Sequence, residues 1–404
     1  MDAFRIIRVS TFIGFLTLLG SNESFGQNIN SFSFSTDNPV VRSGNYLLHT
    51  TDARAFALGN TGIATSADAN SVFWNQSKSA FIADSTEMGG VFNYAPVFRA
   101  LIEDADLFDI ALYKGFKNSA FNFNARYFRY GTFPLTDNNG TIISSIRPVS
   151  FSLGVGYSRK FTEKLSVGIA ANYNYSEERY LIGNVVNGLK FMAFNLSFYR
   201  KGAFNTHMGK KTQFSYGLMI SDMSSLIKTG FTQKLIAPTN LRAGLSYSLF
   251  STNDLPFSFS MDLTKLLAPS APVYDATGNG EILSGRDFTT NSSLQNWLYS
   301  FSDAPGVVLL DDNGIAEVEK GSIFKEELTE LTIGLGLEAQ IVNWLALRGG
   351  IYMENETKGQ GTLVTGGFGL NKKNLSLDLG VALAANDQNA NTNSFMLSVG
   401  YNID

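Results

Sequence analysis

The sequence predicts an all-β protein, an antiparallel transmembrane β-barrel of about 14 strands with an N-terminal hatch folded into its lumen. Three observations carry this. From about residue 86 onward, runs of roughly ten residues alternate apolar with small or polar side chains. Charged residues inside those runs are expected on the non-apolar face. The connections between runs are alternately short and long, as periplasmic turns and external loops are in bacterial outer-membrane barrels.

Composition agrees. The 404 residues include no Cys, 38 Gly, 33 Phe and 16 Tyr. Only 16% are charged, against about 25% in a soluble domain. A formal net charge of -4 gives no basic footprint, so no nucleic-acid partner is expected. The lack of Cys excludes a disulfide framework and a thiolate metal site.

The N-terminus reads as an export signal. Arg5 and Arg8 precede an apolar run over 9–19, and Ser24 and Gly26 are small residues before Gln27. Residues 1–26 are therefore expected to be a cleaved signal peptide. The run is shorter than the roughly 20 residues of a spanning helix, and nothing after residue 30 approaches one. A mature chain that spans a membrane must then do so as a closed barrel, which alone satisfies the backbone in lipid.

Residues 27–84 form the N-terminal segment and hatch. The stretch 52–81 is rich in Gly, Ala, Asn and Asp. A barrel of about 8 strands fills with its own side chains, whereas 16 to 18 leave a channel. About 14 would leave a hole, and residues 40–84 are the one sizeable segment outside the strands and outer loops. Asp52 is expected to cap a helix through Leu58, with Gly59 ending it. Asp68 is expected to cap a second through Trp74. Glycines on the lumenal face would admit this backbone close to the wall.

Residues 85–404 are the barrel. Phe151, Leu153, Val155 and Tyr157 share one face of a strand, opposite Ser152, Gly154, Gly156 and Ser158. The runs at 165–175, 192–198, 214–220, 241–249, 257–263, 331–341, 375–383 and 395–401 repeat this. The strand charges expected to face the lumen are Asp109, Arg126, Lys190, Arg242, Asp262, Glu338, Arg348 and Asp378. A Lys or Arg facing lipid near the midplane would cost about 2–4 kcal/mol. Their mixed signs suit pinning a hatch that carries Asp52, Arg54 and Asp68 better than selecting an ion.

The longest connection, 268–328, is too long for a plain linker. Leu294, Trp297, Leu298 and Phe301 follow the spacing of one helical face. The runs 307–310 and 315–318 flank Asp-Asp-Asn-Gly at 311–314 and read as a hairpin. Either this loop is a partner-docking surface anchored on Trp297 and Phe301, or its helix folds back over the barrel mouth.

Catalytic chemistry is missing. The two His residues, His49 and His207, have no triad arrangement and no metal-ligand spacing. The stretch 275–280 resembles the start of a calcium loop, but Arg286 occupies the place of the bidentate Glu. It reads as a turn, as does 137–140. No enzyme activity, cofactor or metal is expected.

The motifs Asp52-Ala-Arg54, Gly59-Asn-Thr-Gly62-Ile-Ala-Thr, Ala67-Asp-Ala-Asn70 and Trp74-Asn75 resemble the hatch of the FadL-like outer-membrane barrels. The family's 14-stranded, hatch-plugged architecture would cover the whole mature chain. Gln76 departs from it, standing where such hatches usually have Pro. Three stretches give a narrower resemblance, to the PorV-like barrels of the Bacteroidetes type IX secretion system: 257–269 (FSFSMDLTKLLAP), 299–306 (YSFSDAPG) and 324–328 (FKEEL). That resemblance implies an accessory barrel in outer-membrane lipid. It would dock on a giant translocon barrel (SprA/Sov-like), bind the C-terminal domains of secreted cargo and pass them to a sortase/attachment complex. It makes the long loop, with Tyr299, Asp303, Pro305 and Phe324 beside the helix residues, a protein-binding surface. The competing expectations are a FadL-type uptake channel for hydrophobic small molecules and a surface-assembly barrel without a channel. The expected lumenal charges weigh against an apolar uptake cavity.

Overall fold

The computed structural model describes residues 43–82, 88–99, 102–137, 139–177, 188–207, 210–228, 234–250, 255–274, 281–310, 316–355, 358–359, 361–384 and 394–403. The expected signal peptide and the turns at 275–280 and 311–314 lie outside them.

Fourteen strands close a barrel: β1 Met88–Pro96, β2 Asp106–Phe116, β3 Ser119–Arg129, β4 Val149–Thr162, β5 Leu165–Ser176, β6 Leu189–Arg200, β7 Lys210–Met223, β8 Asn240–Phe250, β9 Phe257–Leu266, β10 Leu331–Val342, β11 Leu345–Met353, β12 Leu363–Lys372, β13 Leu375–Ala384 and β14 Ser394–Ile403. Each pairs antiparallel with its neighbours in chain order. Closure is made by β1 and β14, in register from Met88 opposite Ile403 to Tyr94 opposite Leu397. A short strand at Phe204–His207 folds back on the start of β7.

The period-2 pattern decides the two faces. In β4, Ser150, Ser152 and Ser158 are buried while Leu153 and Val155 are exposed. Phe92, Ile169, Phe194 and Leu383 are likewise exposed on other strands. An apolar outer surface on a closed sheet is what lipid requires. No helix among the described residues is long and apolar enough to cross a membrane; the strands do the crossing. Tight turns at 117–118, 163–164, 343–344 and 373–374 alternate with the long connections 130–148, 224–239 and 267–330. The expected exception, 201–209, carries the extra short strand.

Residues 43–82 form short helical pieces: a 3-10 turn Asn45–Leu48, α1 Ala53–Ala57, α2 Ser71–Trp74, a 3-10 turn Gln76–Lys78, and α3 Ser79–Ile82. Helix α1 packs on β11 to β14, the turn 76–78 on β4 to β6, and α3 on β2 to β4. Being met by wall from every side places the segment in the barrel interior. Asp52 caps α1 as expected, its carboxylate accepting from the Arg54 backbone N–H, and Gly59 takes the left-handed conformation just after the helix (φ 66°).

Two expectations are corrected. The second helix begins at Ser71 behind Asn70, which makes no side-chain cap. Asp68 lies outside it because its carboxylate is engaged by Arg54 at 2.8 Å and by the Ser71 hydroxyl. Lys190 does not face the lumen. It is exposed on the same side of β6 as Met192 and Phe194, while Leu189 and Phe191 point inward. Lys190 is the second residue of β6, directly after the connection 177–188. At that rim an ammonium group can reach water along its own stem.

The connection between β9 and β10 has structure of its own: α4 Ser293–Tyr299, α5 Ser322–Thr329, and two small hairpins, Val273–Tyr274 with Ile282–Ser284 and Val308–Leu310 with Ala316–Val318.

Candidate functional site

Polar wall residues hold the interior segment at many points, among them Ser398 on Ala53 N–H and Thr365 on Gly59 N–H, and four further anchors involve the hatch-like motifs or the strand charges. Arg54 donates from Nε and Nη2 to the two oxygens of Glu338 on β10, at 3.0 and 2.9 Å. Its Nη1 reaches Asp68 at 2.8 Å. Arg348 on β11 donates to Glu338 at 2.7 Å and to Asp378 at 2.6 Å, so five charges of alternating sign run from the segment into the wall. Two charges bridging the same carboxylate satisfy it fully, as a buried charge requires.

The second anchor is Asp262 on β9, whose Oδ2 accepts from the Gly62 and Ile63 backbone N–H groups at 2.6 and 2.9 Å. The third is Arg126 on β3. It pairs with both oxygens of Asp109 at 2.8 and 2.7 Å and donates to the carbonyls of Tyr46 and Leu47 at 3.1 Å. The fourth is Asn75, whose Nδ2 donates at 3.0 Å both to Ile63 O within the segment and to Phe198 O on β6. Beside it, the Ser77 backbone N–H meets Ser197 Oγ at 3.0 Å.

Residues of the stretches that resemble a hatch hold the segment together and to the wall. Trp74 Nε1 donates to Asp52 Oδ2 at 2.9 Å, and Asn70 Oδ1 accepts from Asn93 of β1 at 2.7 Å. Gly62 lies flat against the indole, where an added Cβ would sit 2.2 Å from Trp74. Arg242 lies with its guanidinium 5.5 Å over the same ring. Lys78, fully buried, donates to Gly62 O at 2.6 Å and Thr65 Oγ1 at 3.0 Å.

Above the segment a cavity of about 220 Å³ remains, lined among others by Trp74, Arg126, Asp222, Arg242, Glu354 and Lys358. Apolar ligands select mostly apolar pockets with few polar groups, and this lining is rich in charge.

The external loop presents a different chemistry. Helix α4 starts with a reciprocal capping box between Ser292 and Gln295. It buries Asn296 and Ser300 rather than its apolar face. Leu294, Leu298 and Phe301 are 60%, 64% and 52% exposed, and Phe324 on α5 is 71% exposed. Trp297 and Tyr299 are half-buried, with Arg286 4.6 Å over the Tyr299 ring. The helix therefore does not fold its apolar face onto the barrel mouth. Pro305 turns the chain after the buried Asp303, its carbonyl accepting from Ser284 Oγ at the base of the first hairpin.

The family model of the type IX secretion system protein PorV matches residues 33–273, more than half of the chain. The chain belongs to the PorV family. No curated protein matches it. Among solved structures it is similar to the toluene transporter TbuX of Ralstonia pickettii (11% identity over 87% of this chain and 98% of that one, TM-score 0.48). It is also similar to the toluene transporter TodX of P. putida (11%, 86% and 97%, 0.46) and to a Pseudomonas aeruginosa FadL homologue (10%, 90% and 100%, 0.42). At that level the likenesses add nothing to the strand pairing on which the fold rests. This PorV-family chain is an outer-membrane barrel associated with type IX secretion machinery, and it is not an enzyme. The matched span holds the interior segment and β1 to β9. The stretches at 299–306 and 324–328 lie beyond it.

One group escaped the sequence reading. Asp303, Glu327 and Glu330 bring carboxylate oxygens within 4.8 Å of one another. Lys265 of β9 donates to Glu327 at 3.0 Å and, more closely, to Glu330. Lys358 donates to Glu326 at 2.6 Å and Glu330 at 3.3 Å. Burial, with Glu330 and Glu327 alongside, pushes the Asp303 carboxyl up to about 7. Residues up to 93 positions apart build this cluster, so no local spacing could have announced it.

Proposed function

We propose that this chain is a plugged accessory barrel of a type IX secretion machinery. It docks on the translocon barrel, binds the C-terminal signal domain of secreted cargo with its external loop, and delivers cargo to the surface sortase/attachment complex. An N-terminal signal peptide over 1–26 exports it, and residues 43–82 act as the hatch that closes its lumen. The observation that carries this reading is the exposed apolar face of Leu294, Leu298 and Phe301, with Phe324 beyond it. An exposed patch of aliphatic and aromatic side chains marks a contact surface, and aromatic anchors dominate protein interfaces. Family membership supports the system, and the occupied interior favours work done at the outer surface. The charged lining of the remaining cavity weighs against uptake of hydrophobic small molecules.

The test is an in-frame removal of residues 292–302 in the native host. The barrel should insert normally, seen as an unchanged heat-modifiable band, while cargo fails to be released. Normal insertion with normal secretion would remove the docking role from this loop.

A further inference from the structure

We propose that Asp303, Glu327 and Glu330 form a binding site for one calcium ion that locks the external loop to the barrel rim. The three carboxylates converge within 4.8 Å, close enough to share one cation. Asp303 is 2% exposed, and its Oδ1 has no hydrogen-bond partner. A buried carboxylate oxygen left without a donor is a costly arrangement that a bound cation resolves.

The other carboxylates are held in place around that oxygen by protein donors. Glu327 Oε1 accepts from the Ala304 backbone N–H at 2.9 Å, and Glu330 Oε1 accepts from Ser270 Oγ. Glu326 Oε2 accepts from the Gly306 backbone N–H at 2.7 Å. These bonds already fold the stretch after α4 onto α5. Among the described residues, Asp303, Glu326, Glu327 and Glu330 contribute four carboxylates, and Lys265 and Lys358 two ammonium groups.

The ligand set also selects the ion. All three groups are carboxylates, hard oxygen donors that suit calcium or magnesium rather than zinc or copper. Calcium accepts irregular oxygen cages completed by water, whereas magnesium demands a near-ideal octahedron and dehydrates reluctantly. Carboxylates drawn from a loop end and two turns of a helix give the irregular kind. The site ties Asp303, which follows α4, to α5, and α5 to Lys265 on the barrel wall. Filling it would fix the base beneath the exposed face of α4.

The experiment uses the full-length barrel in detergent micelles after treatment with a chelator. Calcium binding is followed by isothermal titration, and cleavage of the 268–328 loop by limited proteolysis with and without calcium. The site predicts one calcium per chain with a dissociation constant of about 0.1–1 mM, the range of extracellular calcium modules. Asp303→Asn should weaken binding at least about tenfold, and calcium should slow loop cleavage in the wild type but not in the variant. Absence of saturable binding up to about 10 mM overturns the proposal, as does Asp303→Asn binding calcium like the wild type. Glu327→Gln, which removes a second carboxylate, gives the same reading should Asp303→Asn fail to fold. The outcome is independent of the secretion reading, since a barrel with another role would bind calcium equally.

Discussion

Arg54 and Glu338 form a two-pronged ion pair, 3.0 and 2.9 Å, between the chain's interior segment and the wall strand β10. Each carries a second partner, Asp68 for Arg54 and Arg348 for Glu338. The pair is therefore the middle of a charge chain that joins segment to wall.

Removing Glu338 should leave two interior guanidinium groups with one carboxylate each, Asp68 for Arg54 and Asp378 for Arg348. Glu338→Ala is expected to destabilise the barrel by about 3–5 kcal/mol, the cost of breaking a buried pair. Chemical unfolding in detergent measures it. A double-mutant cycle with Arg54→Ala should return a coupling of about 0.5–3 kcal/mol. A coupling of zero would mean that this contact does not pin the segment.

Gly62 is indispensable for a different reason. Its backbone faces the Trp74 ring so closely that Gly62→Ala would place Cβ at 2.2 Å. The indole must move and lose its bond to Asp52. We expect a loss of about 1–3 kcal/mol from overpacking. In a background where Trp297 and Trp344 are replaced by Phe, the Trp74 emission should shift to the red. Unchanged emission would contradict the packing described.

Lys190 and Arg126 were expected to be equivalent and are not. Lys190→Ala should change stability by less than about 0.5 kcal/mol, as exposed substitutions do. Arg126→Ala should cost about 3 kcal/mol or more, because Asp109 is left buried without its partner. Equal effects in unfolding experiments would refute the assignment of faces in β6.

The contrast shows what was legible in the sequence. Alternation in runs such as 151–157 gave the strands, their faces and their number, because lipid outside and polar groups inside leave a period of two. Asp52 and Gly59 announced the ends of α1 through their capping chemistry. The side of Lys190 is not legible from alternation, because Leu189 and Phe191 are as apolar as Met192 and Phe194. At that rim Leu189 and Phe191 pack inward with Ile227 and Ala237. The exposure of α4 was also illegible: a helical face is readable from spacing, but what covers it depends on distant chain.

The exposed face gives its own prediction. Leu298→Asp and Phe301→Asp should leave unfolding stability within about 0.5 kcal/mol of the wild type. If these side chains are interface anchors, each should reduce capture of a cargo C-terminal domain at least about tenfold. Pull-down of purified cargo domains by the detergent-solubilised barrel measures this. Undiminished capture would move the binding surface elsewhere.

The most direct measurement is affinity purification of the tagged chain from native outer membranes, followed by identification of what is bound. The account predicts a very large translocon barrel and secreted proteins that retain their C-terminal domains. Recovery of stoichiometric lipid or hydrocarbon with no protein partner would contradict it.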